Sequence, residues 1–147
     1  MRYFQIVLTA AVLSSLTLSA PAAAQSPDDI LVVVNSSSNV NSISAAELRD
    51  IFLKKRSHWR AGGQAIPIHA SENSALRHDF RQRLLEMTSA EEEKYWSDRR
   101  IKSGTQPPVE FSNTLRTVFK LNGAVSYVYR SDYKEGIAKV VLVIPAS

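Results

Sequence analysis

The chain of 147 residues is 44% hydrophobic and 22% charged, proportions that suit a single folded domain and exclude a disordered segment. Its formal charge of +4 favours anionic partners in general but does not choose among oxyanions, anionic lipid surfaces and nucleic acid. There is no cysteine, which excludes disulfides, a thiol nucleophile, thiolate metal ligands and a lipid-modified N-terminal cysteine.

The opening stretch MRYFQIVLTAAVLSSLTLSAPAAAQ has one basic residue, Arg2, then an apolar run from Ile6 to Leu18, then small residues ending at Ala24. That order predicts a secretory signal peptide over 1–24, cut after Ala24, and a domain over 25–147. The competing reading is an uncleaved anchor, which the short apolar run and the small-residue end disfavour. No later stretch is long and apolar enough to span a bilayer. The mature chain is therefore expected in a bacterial periplasm, without stable membrane insertion; the absence of disulfides suits that compartment, with secretion into the medium as the alternative.

Ile30 to Val34 form an almost unbroken β-branched run bounded by a polar turn, as in a strand covered on both faces. Ser44 and Glu47 are spaced as a capping box, and Leu48, Ile51, Phe52 and Lys55 trace one face of the helix that follows, with Lys55 at its solvent edge. AIPIHA, 65–70, is a short strand in which Pro67 demands an edge or a strand start. Leu76, Phe80, Leu84 and Met87 predict a helix from about Ala75 to Met87. Ser89 and Glu92 read as a second capping box, with Glu91 to Glu93 in the favourable first turn. Gly104 and the pair Pro107-Pro108 stop that helix. A further helix carries Leu115, Val118 and Phe119 inward and ends at Asn122-Gly123. AVSYVYR and AKVVLVIP are the last strands, joined by a turn around Asp132 to Gly136. The order of elements predicts one layered α/β domain with a mostly parallel or mixed sheet.

The turn SENSA, 71–75, is the leading candidate for chemistry. Asn73, Ser74 and the amides of Ala75, Leu76 and Arg77 surround a helix start, where unpaired N–H groups converge and the dipole favours an anion. Asn73 or Ser74 fills the same donors equally well as a plain N-cap. Arg77 and Arg81 share a face at i,i+4, either as a positive rim to that turn or as ordinary surface arginines. The turn has no glycine, which points to an open, weak site rather than a walled cage.

Other chemistries are poorly supported. His69, His78 and Asp79 lack metal-ligand spacing, so no metal is expected, nor any other cofactor. Ser74 lacks a GxSxG elbow and a triad signature, so no enzyme activity is expected. The basic cluster Arg99 to Lys102 follows Tyr95 and Trp96, but Glu91 to Glu93 oppose it and core burial accounts for Trp96, so nucleic acid is not an expected partner. Tyr127 and Tyr129 lie on one side of a strand.

Taken together, the segment from VVVNSSSNV through RSHWRAGGQAIPI, then SENSALRHDF, YW, SGTQPP and the closing NGAVSYVY, resembles the phosphate-binding periplasmic solute-binding proteins, most closely compact single-lobe PstS-like ones. The likeness runs from about Leu31 to Ile144. It implies a single three-layer lobe of a type II periplasmic-binding-protein-like fold with a mixed sheet. It also implies a non-enzymatic ABC transporter substrate-binding type of protein that binds inorganic phosphate or a similar oxyanion. Matched to the family's GSGT turn, Asn73 falls on the first glycine, Ser74 on the serine, Ala75 on the second glycine and Leu76 on the threonine, while the family's arginine falls on Ala70. A guanidinium and a hydroxyl are thereby replaced by groups with no side-chain donor, leaving Ser74, the backbone amides and Arg77 as the implied anion ligands. The chain has room for one lobe only, whereas the family closes two across its ligand. The resemblance therefore implies either weak anion recognition or a lobe with a vestigial site that binds an envelope protein or a second copy of itself.

Overall fold

A computed structural model describes residues 24–146, and the expected signal segment lies outside them except for Ala24. In chain order the regular elements are β1 (Ile30–Asn35), α1 (Ala45–Phe52), β2 (Ile66–His69), α2 (Ala75–Phe80), α3 (Ser89–Ser103), β3 (Val109–Glu110), α4 (Thr114–Lys120), β4 (Ala124–Tyr129) and β5 (Ala138–Ile144). The strands form one sheet in the order β3-β2-β4-β1-β5. β1 runs antiparallel to both β4 and β5, whereas β2 is parallel to β4 and β3. The sheet is mixed, as expected, but β4 and β5 are not a hairpin: β1 lies between them.

Alternation along β1 builds the core on two faces. Ile30, Val32 and Val34 pack with Leu48, Phe52, Phe80 and Leu84, while Leu31 and Val33 pack with Val118 and Val128. α1, α2 and α3 cover the first face, where Tyr95 of α3 donates to the Leu53 carbonyl over 2.7 Å; α4 covers the second. The result is a single α/β lobe of three layers. Pro67 is tolerated because β3 pairs only with Ile68 and His69, so the proline sits at the strand start without a ladder partner on that side.

Local chemistry sets several element ends differently from expectation. Ser44 caps α1 by accepting from the Glu47 amide, but no capping box closes, because the Glu47 carboxylate turns to the amide of Arg60 and the guanidinium of Arg56. α1 stops at Phe52, so Lys55 lies beyond it in the following turn. The helix predicted to reach Met87 is α-helical only to Phe80; residues Arg81–Leu85 continue as one π turn, closed by Glu86 at φ 56°. α3 is capped by Thr88 and Glu91 rather than by Ser89 and Glu92. That one-residue shift frees Glu92 to face inward, where it is 4% exposed. On α4, Val118 is buried but Phe119 is 53% exposed, so Phe119 is not an inward residue. No described helix is long and apolar enough to cross a membrane.

Candidate functional site

Ser74 is the N-cap of α2. Its Oγ accepts from the Arg77 amide at 3.1 Å and donates to the Ser71 carbonyl at 2.7 Å, and its own carbonyl accepts from the His78 amide. The hydroxyl is therefore fully engaged within the turn, and what the turn can still offer a ligand is the pair of first-turn amides on Ala75 and Leu76. Asn73 is exposed beside them, and Leu76 is half-buried against the core. Ala70, at the position matched to the family's arginine, is buried, and its amide donates to the Tyr127 hydroxyl at 3.3 Å.

The start of α4 meets the start of α2 across a groove of about 430 Å³. Ser71, Ser74, Ser112, Asn113, Thr114 and Asp132 line it together with an apolar wall that includes Leu76, Leu115 and Val128. Asn113 caps α4 by accepting from the Arg116 amide at 3.0 Å, and the Thr114 hydroxyl donates to the Tyr127 carbonyl. Two helix starts thus face one groove of mixed polar and apolar lining, while the Asp132 carboxylate opposes a strongly charged anion.

Arg77 and Arg81 are not a rim to this groove, nor are they surface residues. They are 4% and 3% exposed and are turned to carboxylates of the chain itself. Glu92 accepts from Arg77 Nη2 with Oε1 at 2.5 Å and from Arg81 Nε with Oε2. Glu72, from the turn before α2, accepts from Arg81 Nη2, and its Oε2 lies 3.3 Å from Arg77 Nε. Burial opposes ionisation of Glu92, yet the hydrogen bonds from Arg81 and Arg77 outweigh it and hold its carboxyl below the usual range.

His69 completes this interior. Its Nδ1 shares a 3.0 Å hydrogen bond with the Tyr127 hydroxyl, which also accepts from the Ala70 amide. Burial first, then the charges of Arg77 and Arg81, push the His69 pKa well down, so the ring is neutral. Burial likewise raises the Tyr127 phenol. The ring of Tyr127 lies flat on Phe80, with centroids 3.6 Å apart. His78 and Asp79 stand apart from His69: Asp79 accepts from Arg83 and from the Tyr129 hydroxyl, at 2.8 Å each. Among the described residues no group of three His, Asp or Glu side chains is placed to hold a metal.

No protein-family model matches the chain, and no curated protein matches it in sequence. Solved structures do match in fold. An ABC-type phosphate transport receptor from Vibrio cholerae superposes with a TM-score of 0.60 at 15% identity, over 78% of this chain and 46% of the receptor. A Clostridium perfringens structure with bound phosphate gives 0.58 at 15% identity, over 78% and 45%. PstS from Borrelia burgdorferi gives 0.52 at 10% identity, over 69% and 40%. The lobe therefore has a type II periplasmic-binding-protein-like fold, and this chain spans less than half the length of each of these proteins.

Proposed function

We propose that this chain is a non-enzymatic, solute-binding-type protein of the bacterial periplasm that recognises inorganic phosphate or a similar oxyanion weakly, at the groove where α2 and α4 begin. The observation that carries the reading is the meeting of the two helix starts in one groove, on a lobe similar in fold to phosphate receptors. The ligands are the amides of Ala75 and Leu76 with the Ser71 and Ser112 hydroxyls of the groove wall, and exposed Asn73 precedes them in the turn; Ser74 holds the amides in place rather than donating its own proton. Arg77 contributes by anchoring the first turn of α2 to Glu92, not by contacting the anion. With no guanidinium in the groove's lining, a dissociation constant of about 1 mM is the scale to expect.

Phosphate and sulfate titrated into isotopically labelled protein at fixed ionic strength provide the test. Saturable shifts of the Ala75, Leu76 and Asn113 amides support the reading. Their absence at about 10 mM anion, some tenfold above the expected constant, overturns it.

One observation favours a second reading, in which the groove is a docking surface for an envelope protein or for another copy of the chain. The groove runs on, through Asn113, Leu115 and Asp132, into a hollow lined by Phe119 and Ile137 and flanked by Arg116 and Lys134. Under that reading, phosphate produces no shifts and Phe119→Asp abolishes a complex recovered from periplasmic extract or a dimer seen in sedimentation.

A further inference from the structure

A second pocket, of about 370 Å³, lies among β2, α2 and α3 and shares no lining residue with the groove. Three of its lining residues carry buried polar atoms that the fold leaves without a hydrogen bond, Arg77 Nη1, His69 Nε2 and Trp96 Nε1, and Arg77 Nε has only the ion-pair contact with Glu72. Arg77, His69 and Trp96 are 4%, 2% and 5% exposed. An unpaired buried donor costs about 1–3 kcal/mol, so several around one pocket mark a place that an acceptor-bearing guest completes.

The charges there are arranged unevenly. Two buried guanidiniums, Arg77 and Arg81, face one buried carboxylate, Glu92. The second carboxylate on them is Glu72, whose side chain is 46% exposed. Glu72 belongs to the turn before α2, outside any helix or strand, so it can swing away without breaking regular structure. Of the two carboxylates on the arginines, it is the one open to solvent.

We propose that the Glu72 carboxylate sits in the acid subsite of a pocket for a small organic monocarboxylate. The guest's carboxylate replaces that of Glu72 on Arg77 and Arg81, and its apolar body lies against Trp96, Pro107 and Pro108. A monoanion is selected because Glu93 and Glu110 also line the pocket, outnumber Arg100, the one further cation of its lining, and repel additional negative charge. Glu72 competes as a tethered rival at an effective concentration of about 1 mM or more, which keeps the pocket weak until Glu72 is displaced.

The test titrates benzoate, benzamide, acetate and phosphate at fixed ionic strength into the chain and into Glu72→Ala and Glu72→Gln. Binding is read by calorimetry and by the Trp96 indole N–H resonance. Benzoate is expected to bind Glu72→Ala about tenfold or more tightly than the parent, to move the Trp96 resonance and to outrank acetate and phosphate, with benzamide silent. Should the alanine variant fail to fold, Glu72→Gln keeps the shape of the side chain without its charge. Benzoate must then raise the melting temperature of Glu72→Gln more than that of the parent. Equal benzoate affinity in parent and variants, equal binding of benzamide, or a silent Trp96 overturns the proposal. The pocket does not depend on the oxyanion reading: phosphate shifts at Ala75, Leu76 and Asn113 decide that one, and benzoate shifts at Trp96 decide this one.

Discussion

Arg77 donates to Glu92 over 2.5 Å between side chains that are 4% and 5% exposed, fastening the first turn of α2 to the first turn of α3. Arg81 takes the other oxygen of the same carboxylate. Removing Glu92 strands two guanidiniums in the interior with only the half-exposed Glu72 beside them. Glu92→Ala is therefore expected to cost about 3–5 kcal/mol, read as a lower urea midpoint. Lys94→Ala breaks the exposed Lys94–Asp98 pair and should cost no more than about 0.5 kcal/mol. Equal losses in the two variants would show that the buried network is not holding the helices together.

The same interior predicts how stability depends on pH. Buried His69 stays neutral in the fold, while in the unfolded chain it takes up a proton below about pH 6.5. In that window the unfolded state binds more protons, so stability falls with falling pH, by up to about 1.4 kcal/mol per unit, until the folded pKa is reached. Glu92 adds a second, more acidic limb: its contribution is intact above the ordinary glutamate value of about 4.3 and is lost as pH drops through its lowered folded value. Urea midpoints measured between about pH 7 and pH 5 should fall for the parent and fall less steeply for His69→Gln. Parallel slopes would remove His69 as the source.

Much of the lobe was legible because it is written in local periodicity. The buried run of β1, the stripe of Leu48, Ile51 and Phe52, and the alternation that puts Tyr127 and Tyr129 on one face all carry short-range signals. The order of elements gives a layered α/β domain with a mixed sheet, and the family likeness adds its three-layer, type II form. The i,i+4 spacing of Arg77 and Arg81 by itself suits an exposed helix face, and their burial shows only in the wider pattern. Arg77, Phe80, Arg81 and Leu84 together make an i,i+3,i+4,i+7 stripe, which places both guanidiniums on the core-facing side of the helix. Glu92, four residues before buried Trp96, carries the matching signal. Sheet order and the two-residue strand β3 depend on long-range pairing and left no such mark.

Tyr127 joins packing to polarity. Its ring stacks on Phe80, and its hydroxyl serves His69 and the Ala70 amide at once. Tyr127→Phe keeps the stack but leaves Nδ1 of His69 and the amide of Ala70 unpaired, for an expected loss of about 1–3 kcal/mol. Phe80→Ala removes the stack and opens a cavity, for about 3–5 kcal/mol. Denaturant melts of both variants check the order, and a Tyr127→Phe loss as large as that of Phe80→Ala would mean the ring has moved.

Gly123 sits where α4 turns into β4, at φ +84°, and its carbonyl accepts from the Ile66 amide at 2.8 Å, setting the start of β2. A Cβ built there would lie 2.5 Å from the Gln64 carbonyl oxygen, which belongs to backbone and cannot swing aside. Gly136 has nearly the same φ, +83°, but open space around it. Alanine at either position suffers the left-handed backbone strain of about 1–2 kcal/mol. Only Gly123→Ala must also push the strand that carries His69 away from β4. Its loss in a thermal melt should exceed that of Gly136→Ala by about 1 kcal/mol or more, with the Trp96 indole resonance displaced only in Gly123→Ala. Equal losses and an unmoved Trp96 would show that the approach of Gly123 to Gln64 does not position the His69 strand.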